Sequence, residues 1–184
     1  MKSSHSWIWY DGFVKKILIL ILSLSLSGCS LFTRSTFTSQ SITLSDNAVT
    51  KEAVLDRCVD GDTAHFYVDG KLQKVRFLSI DTPEVNHENE LLSEPFGVMA
   101  ADYTCFQLTA AKKLILESDP YENETDQYDR VLAWVWADGV LLNAQLVELG
   151  YAEVAFVNTT NLHSADLMKL QAQAQKVHLK IWKP

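Results

Sequence analysis

Two short acidic runs on either side of a predicted hairpin carry the side chains best placed to do chemistry. One is Asp60-Gly61-Asp62-Thr63; the other is Asp81-Thr82-Pro83-Glu84, which ends a stretch beginning at Arg76. Between them, Ala64 to Val68 and Leu72 to Val75 alternate or cluster apolar residues as strands do. Asp69-Gly70 is the dipeptide that accepts the positive φ angles of a tight turn. A hairpin returns its ends to one edge, so Asp60 and Asp62 are predicted beside Asp81 and Glu84, with Arg76 on the strand that feeds them. Carboxylates gathered at that range repel one another unless a cation sits among them. The pattern therefore predicts a bound hard metal ion with oxygen ligands.

Other chemistries lack their residues. His65, His87, His163 and His178 show no ligand spacing with each other or with the cysteines, so a zinc site is not expected. The calcium-hand loop, the phosphate-binding Gly-Lys loop and the Gly-x-Ser-x-Gly elbow are absent from the sequence. Trp134, Trp136 and Trp182 read as packing residues rather than stacking platforms.

The runs Val59-Asp60-Gly61-Asp62-Thr63, Val75-Arg76-Phe77-Leu78 and Ile80-Asp81-Thr82-Pro83-Glu84 resemble the staphylococcal nuclease family. The resemblance resumes at Asp126-Gln127-Tyr128-Asp129-Arg130-Val131-Leu132-Ala133-Trp134, at Val140-Leu141-Leu142-Asn143 and at Gly150-Tyr151-Ala152, and covers the chain from about Ala48 onward. It implies a calcium-dependent (Ca2+) nuclease that hydrolyses DNA and RNA to 3′-phosphate and 5′-hydroxyl ends. Asp62 and Asp81 match the family's metal-ligating carboxylates, and Thr82 matches the residue that ligates through its carbonyl. Asp60 would be an outer acid of the metal site. Glu84 matches the general base, and Arg76 and Arg130 match the two arginines that hold the phosphate. Arginine suits that task because its planar fork makes paired hydrogen bonds to phosphate and stays charged. Tyr128 and Phe156 would bind substrate. The chain departs from the family in the later loop, where two tyrosines are Phe156 and Asn158, and around Tyr128, where a lysine is Gln127 and a glycine is Asp129. A non-catalytic nucleic-acid-binding module of the same fold is the alternative, but inactive versions lose the acids and arginines that this chain keeps.

The elements that must position these groups are short. A first strand is expected over Val54 to Val59, then the hairpin, then an exposed polar loop over Val85 to Pro95 at the rim of the site. A helix follows from about Gly97, with Met99, Tyr103, Phe106, Ala110 and Leu114 as its apolar face. Leu114 to Leu116 reads as a buried strand and Asp119 to Tyr128 as a second polar loop broken by Pro120. Val131 to Trp136 reads as a strand turned by Asp138-Gly139. Leu142, Leu146 and Leu149 mark a short helix stopped by Gly150. A last helix starts near Ser164, with Leu167, Leu170, Ala174, Val177 and Ile181 at intervals of three and four. Five strands and three helices suit an α+β fold, the oligonucleotide-binding (OB) type β-barrel with helical additions that the resemblance implies.

The N-terminal part has a different composition. Lys15-Lys16, the apolar run Ile17 to Leu22, and small residues ending in Leu26-Ser27-Gly28-Cys29 describe a signal peptide over residues 1–28, its end resembling the lipobox of bacterial lipoproteins. Cys29 is then the lipidated residue, and the domain is expected to be exported and held on the outer face of a bacterial cell membrane. A start at Val14 would give the compact basic region such signals carry. Residues 29–47, rich in Ser and Thr, read as a tether and 48–184 as the nuclease-like domain. Cys58 and Cys105 read as small buried or half-buried side chains, since the sequence cannot show whether they lie close enough to bridge. Loss of residues 1–28 removes three lysines and one aspartate from the 16 basic and 23 acidic residues, leaving a formal charge of −9. That is a poor match to a polyanion, so any phosphate site must be made locally. Nothing in the sequence implies a protein partner, and a monomer is expected.

Overall fold

The computed structural model describes residues 42–184; the signal peptide, Cys29 and most of the tether lie outside the described residues. The strands are β1 (Thr50–Cys58), β2 (Thr63–Val68), β3 (Lys71–Phe77), β4 (Ile80–Asp81), β5 (Leu114–Glu117), β6 (Val131–Ala137), β7 (Val140–Leu141) and β8 (Glu153–Val154). The α-helices are α1 (Gly97–Ala110), α2 (Leu142–Glu148) and α3 (Ser164–Lys176). Five strands run in the order β3-β2-β1-β5-β6, and a parallel pairing of β3 with β6 closes them into a barrel. This is the expected five-stranded barrel with three helices.

The β2–β3 hairpin forms as its sequence predicts. Val68 faces Lys71 across a two-residue turn, with φ of 51° at Asp69 and 75° at Gly70. Both angles are positive, as a turn matching the strand twist requires. Asp138-Gly139 repeats the device with 50° and 82°. Inside the barrel lie Phe66, Val75, Phe77, Trp134 and Trp136, all fully buried. A buried indole needs a partner for its N–H. Trp134 donates to Asp119 Oδ2 at 2.9 Å and Trp136 to Glu117 Oε2 at 2.8 Å. The other Glu117 oxygen accepts from the Ser45 amide at 2.7 Å, and His163 Nε2 lies 2.9 Å from Oε2.

Several expectations need correction. Ile42, placed in the tether by its surroundings, packs into the core, and Ser45 is tied to Glu117. The buried face of α1 is Gly97, Ala100, Thr104 and Leu108, whereas Met99 and Phe106 are 49% and 68% exposed. The large residues point outward because the inner face packs against chain turns that leave no room for them. Leu114 belongs to β5, and Tyr103 stacks on Tyr151 with ring centroids 5.2 Å apart. Helix α3 buries Leu167, Leu170 and Ala174 but ends at Lys176, so Val177 is exposed and Ile181 falls in a later 3-10 turn. Cys58 and Cys105 are bonded to each other, joining the end of β1 to α1 with Cα atoms 5.5 Å apart.

Candidate active site

The barrel puts the two acidic runs where the hairpin argument expects them. Phe77 N donates to Asp62 O at 2.8 Å, which pins the Asp60–Asp62 turn against the end of β3. Within that turn Asp60 Oδ1 accepts from Asp62 N at 3.0 Å, a side-chain cap typical of aspartate in turns. Asp62 is 4% exposed and engaged by donors mostly through one oxygen. Its Oδ1 accepts from Thr63 Oγ1 at 3.0 Å, and its Oδ2 accepts from Thr82 N and Thr82 Oγ1 at 2.8 and 3.2 Å. Arg76, also buried, reaches Asp62 Oδ2 with Nη1 at 2.7 Å and Asp81 Oδ1 with Nη2 at 2.5 Å. The guanidinium thus stands between the two carboxylates rather than beside them. Among the described residues no three His, Cys, Asp or Glu side chains form a ligand cluster by themselves.

The donor set nevertheless fits a hard cation. Burial pushes the Asp62 carboxyl up to about 7, opposed by Arg76 and Thr82 N and reinforced by the charge of Asp60. The Glu84 carboxyl is also raised, by burial first and then by Asp60 and Asp81, with Arg76 pulling the other way. These carboxylates feel each other's charge, and one guanidinium does not offset them all. A divalent ion held by Asp62, Asp81 and the Thr82 carbonyl would supply the missing positive charge through oxygen ligands.

A cleft of about 560 Å³ opens beside this cluster, lined among others by Arg76, Asp81, Glu84, Tyr128, Arg130 and Phe156. The six sequence-predicted residues named there come from β3, the β4 region, the 119–130 loop and the segment after β8. Arg130 is aimed by Asp126, whose Oδ2 accepts from Arg130 Nε at 2.7 Å and whose Oδ1 accepts from Arg130 N and Tyr128 N at 3.0 and 2.9 Å. Burial works to raise the Asp126 carboxyl, but these hydrogen bonds outweigh it and hold it below the ordinary range. The Arg130 guanidinium lies 5.5 Å from the Tyr128 ring centroid, and that of Arg76 lies 6.0 Å from the Phe156 ring. Asp129 has φ of 58°, a left-handed conformation that glycine adopts most easily and aspartate tolerates. Asp62 and Thr82 do not line the cleft; both are buried. Asn158 is not on that wall. Its Oδ1 accepts from Thr160 N and Oγ1 at 3.2 and 2.7 Å, so it closes a local turn.

Three supports of the site were not anticipated from the sequence. A Cβ on Gly97 would stand 2.5 Å from Glu84 O, and one on Gly61 would stand 2.7 Å from Thr82 Oγ1 and 2.9 Å from Ala100. Helix α1 therefore touches both acidic turns through its smallest residues, and Thr104 Oγ1 donates to Gly61 O at 2.6 Å. Glu94 grips the Glu84 backbone from the rim loop: Glu84 N donates to Glu94 Oε2 at 3.0 Å, and Glu94 N donates to Glu84 O at 3.0 Å. Asn143, fully buried, accepts from Val135 N at 2.9 Å and donates to Leu78 O at 2.9 Å, anchoring the turn that leads to Asp81.

A cleft with two guanidiniums, a carboxylate of raised pKa and an oxygen-rich acidic cluster is equipped to bind a phosphate group and to take a proton from water. The family model described as staphylococcal nuclease homologue matches residues 74–184. The chain is 36% identical over 126 residues to a thermonuclease of Staphylococcus hyicus, covering 68% of this chain and 72% of that one. It is 33% identical over 129 residues to a thermonuclease of Staphylococcus intermedius, covering 70% and 74%. It is 37% identical over 129 residues to endonuclease YncB of Bacillus subtilis (strain 168), covering 70% of this chain and 60% of that protein. With that family model spanning more than half of the chain, from β3 to its C-terminus, the chain belongs to the staphylococcal nuclease family.

Proposed function

We propose that this protein is a calcium-dependent nuclease that hydrolyses phosphodiester bonds of DNA and RNA, leaving 3′-phosphate and 5′-hydroxyl ends. The observation that carries the reading is the meeting of Arg76, Arg130 and Glu84 on one cleft beside the Asp62–Asp81 cluster. The relatives' names, thermonuclease and endonuclease, support the same reaction class.

Each residue's part follows from its chemistry. Calcium, held by Asp62, Asp81 and the Thr82 carbonyl, would supply a Lewis acid for a phosphate oxygen. Arg130, its Nε engaged by Asp126, keeps its terminal N–H groups for the phosphate. Arg76 shares its guanidinium between the acids and the cleft, where it faces the negative charge that builds on the phosphorus oxygens. Glu84 stands at the cleft edge as the base that orients water and takes its proton; a raised pKa brings it nearer to the working pH of a general base. Tyr128 and Phe156 offer exposed rings on which a base can stack.

The same proposal covers location. The run ending in Leu26-Ser27-Gly28-Cys29 supports an exported domain anchored through lipid on Cys29. The reaction is tested by digesting a labelled oligonucleotide and weighing the fragments. The expected mass is that of 3′-phosphate products; 5′-phosphate fragments would refute the assigned direction of cleavage.

A further inference from the structure

The cleft has a second wall that the proposed reaction does not use. From Asp81, strand β4 runs back to Ser79, whose carbonyl accepts from Ala155 N at 3.1 Å in continuation of the β4–β8 pairing. Those two residues of strand span roughly 7 Å, and they lead from the acids toward Phe156. At this end stands Glu122, half-buried and lining the cleft together with Ser79, Tyr128 and Phe156. Its Oε1 accepts from Asn161 Nδ2 at 3.0 Å. Asn161 is 5% exposed, and its Nδ2 also lies 3.4 Å from Ser79 Oγ. The Glu122 carboxylate is therefore aimed by a buried amide, although it sits on a loop.

An ionised carboxylate offers acceptors and no donor. Beside a phosphate it would repel. Beside rings that stack a base, it reads the base edge instead. On an unpaired base that edge is open to side chains. Guanine presents adjacent N1–H and N2–H₂ donors there, cytosine presents N4–H₂ and adenine N6–H₂. Thymine and uracil present a single N3–H flanked by two carbonyl oxygens, which a carboxylate repels. We propose that Glu122 is a specificity-determining residue that favours bases with amino donors, guanine foremost, and disfavours thymine and uracil at the position stacked by Tyr128 and Phe156. This inference rests on the nuclease reading above.

The test measures Kd for the 3′,5′-bisphosphates of guanosine, cytidine, adenosine and thymidine by calorimetry, at fixed calcium and salt. In parallel, kcat/KM is measured on single-stranded oligonucleotides that differ only in the base at the cleavage site. The parent protein, Glu122→Gln and Glu122→Ala are compared, with circular dichroism confirming folding. A paired base-edge contact of this kind is worth about 1–3 kcal/mol of discrimination, and the lower part of that range corresponds to about tenfold in affinity. The guanosine ligand is expected to bind about tenfold tighter than the thymidine ligand. Glu122→Gln, which adds a donor, and Glu122→Ala, which removes the acceptor, should each bring the ratio below about threefold. Equal binding of all four bases by the parent, or a ratio unchanged in both variants, would overturn the proposal. Base discrimination without hydrolysis would keep it and remove the nuclease reading. Hydrolysis without discrimination would do the reverse, and a protein that neither binds nor cleaves would overturn both.

Discussion

Arg76 is the residue on which the proposed site turns, because one buried guanidinium ties Asp62 to Asp81 and still lines the cleft. Its planar fork spans both carboxylates, which a single ammonium on a flexible stem does not do. Arg130 reaches the same cleft from another loop, with its aim set by Asp126. In the proposed reaction each guanidinium meets charge that develops only as the phosphate reacts, and loss of one such donor typically costs roughly 3 kcal/mol. Arg76→Lys, Arg130→Lys and Glu84→Gln are each expected to cut kcat by about a hundredfold or more. Circular dichroism should show the fold retained. Near-parent kcat in any two of the three would mean that these residues are not the catalytic set. The acids and Arg76 were legible in the sequence because residue type and hairpin geometry are local, whereas Arg130, Tyr128 and Phe156 were singled out only by the resemblance to the nuclease family. Glu122 was not legible: a glutamate in a polar loop looks like a solvated charge until Asn161, far along the chain, is folded against it.

At the scale of elements, α1 does what its sequence hides. Its large apolar residues suggested the buried face, yet the helix turns Gly97, Ala100 and Thr104 inward so that two backbone turns can approach. A periodicity of hydrophobic residues says where burial is favourable but not where close approach is required. Turn dipeptides and apolar alternation made the individual strands readable, and the resemblance to the nuclease family supplied their closure into an OB-type barrel. Gly97→Ala places a methyl group against Glu84 O, so Glu84, the base of the proposed reaction, must move. Misplacement by about 1 Å can cost about a hundredfold in rate; kcat is expected to fall between about tenfold and a hundredfold with little change in Kd for a nucleoside 3′,5′-bisphosphate. Unaltered kcat would show that the Glu84 turn does not depend on α1. The Cys58–Cys105 bond holds the same helix to β1, and its pairing was not legible because residues 47 apart in sequence meet only in the folded barrel. Cross-linking a loop of that length stabilises by about 4 kcal/mol on chain-entropy scaling. Replacing both cysteines with serine should therefore lower Tm by roughly 10 °C. A Tm within about 2 °C of the parent would show that the bond contributes little beyond the packing of α1.

For the whole molecule, charge and anchoring pull in different directions from the site. An acidic chain does not attract a polyanion at long range, so in the proposed reaction the local arrangement of Arg76, Arg130 and the bound calcium would have to do the attracting. Under the proposed lipid anchoring, attachment to a membrane depends on Cys29. No helix among the described residues is long and apolar enough to cross a bilayer. Cys29→Ala should release the protein from the membrane fraction and abolish incorporation of a fatty-acid label; continued membrane association without label would contradict lipid anchoring. The central claim is that the cleft hydrolyses nucleic acid with calcium bound among Asp62, Asp81 and Thr82. The most direct measurement is the turnover of single-stranded DNA and RNA by the purified domain in calcium, in chelator, and in magnesium at equal concentration. An acidic site with few fixed ligands suits calcium's flexible coordination better than the strict octahedron of magnesium. The account predicts rapid cleavage in calcium, loss in chelator with recovery on adding calcium back, and markedly slower cleavage in magnesium. Full cleavage in chelator, or equal rates with the two ions, would contradict it.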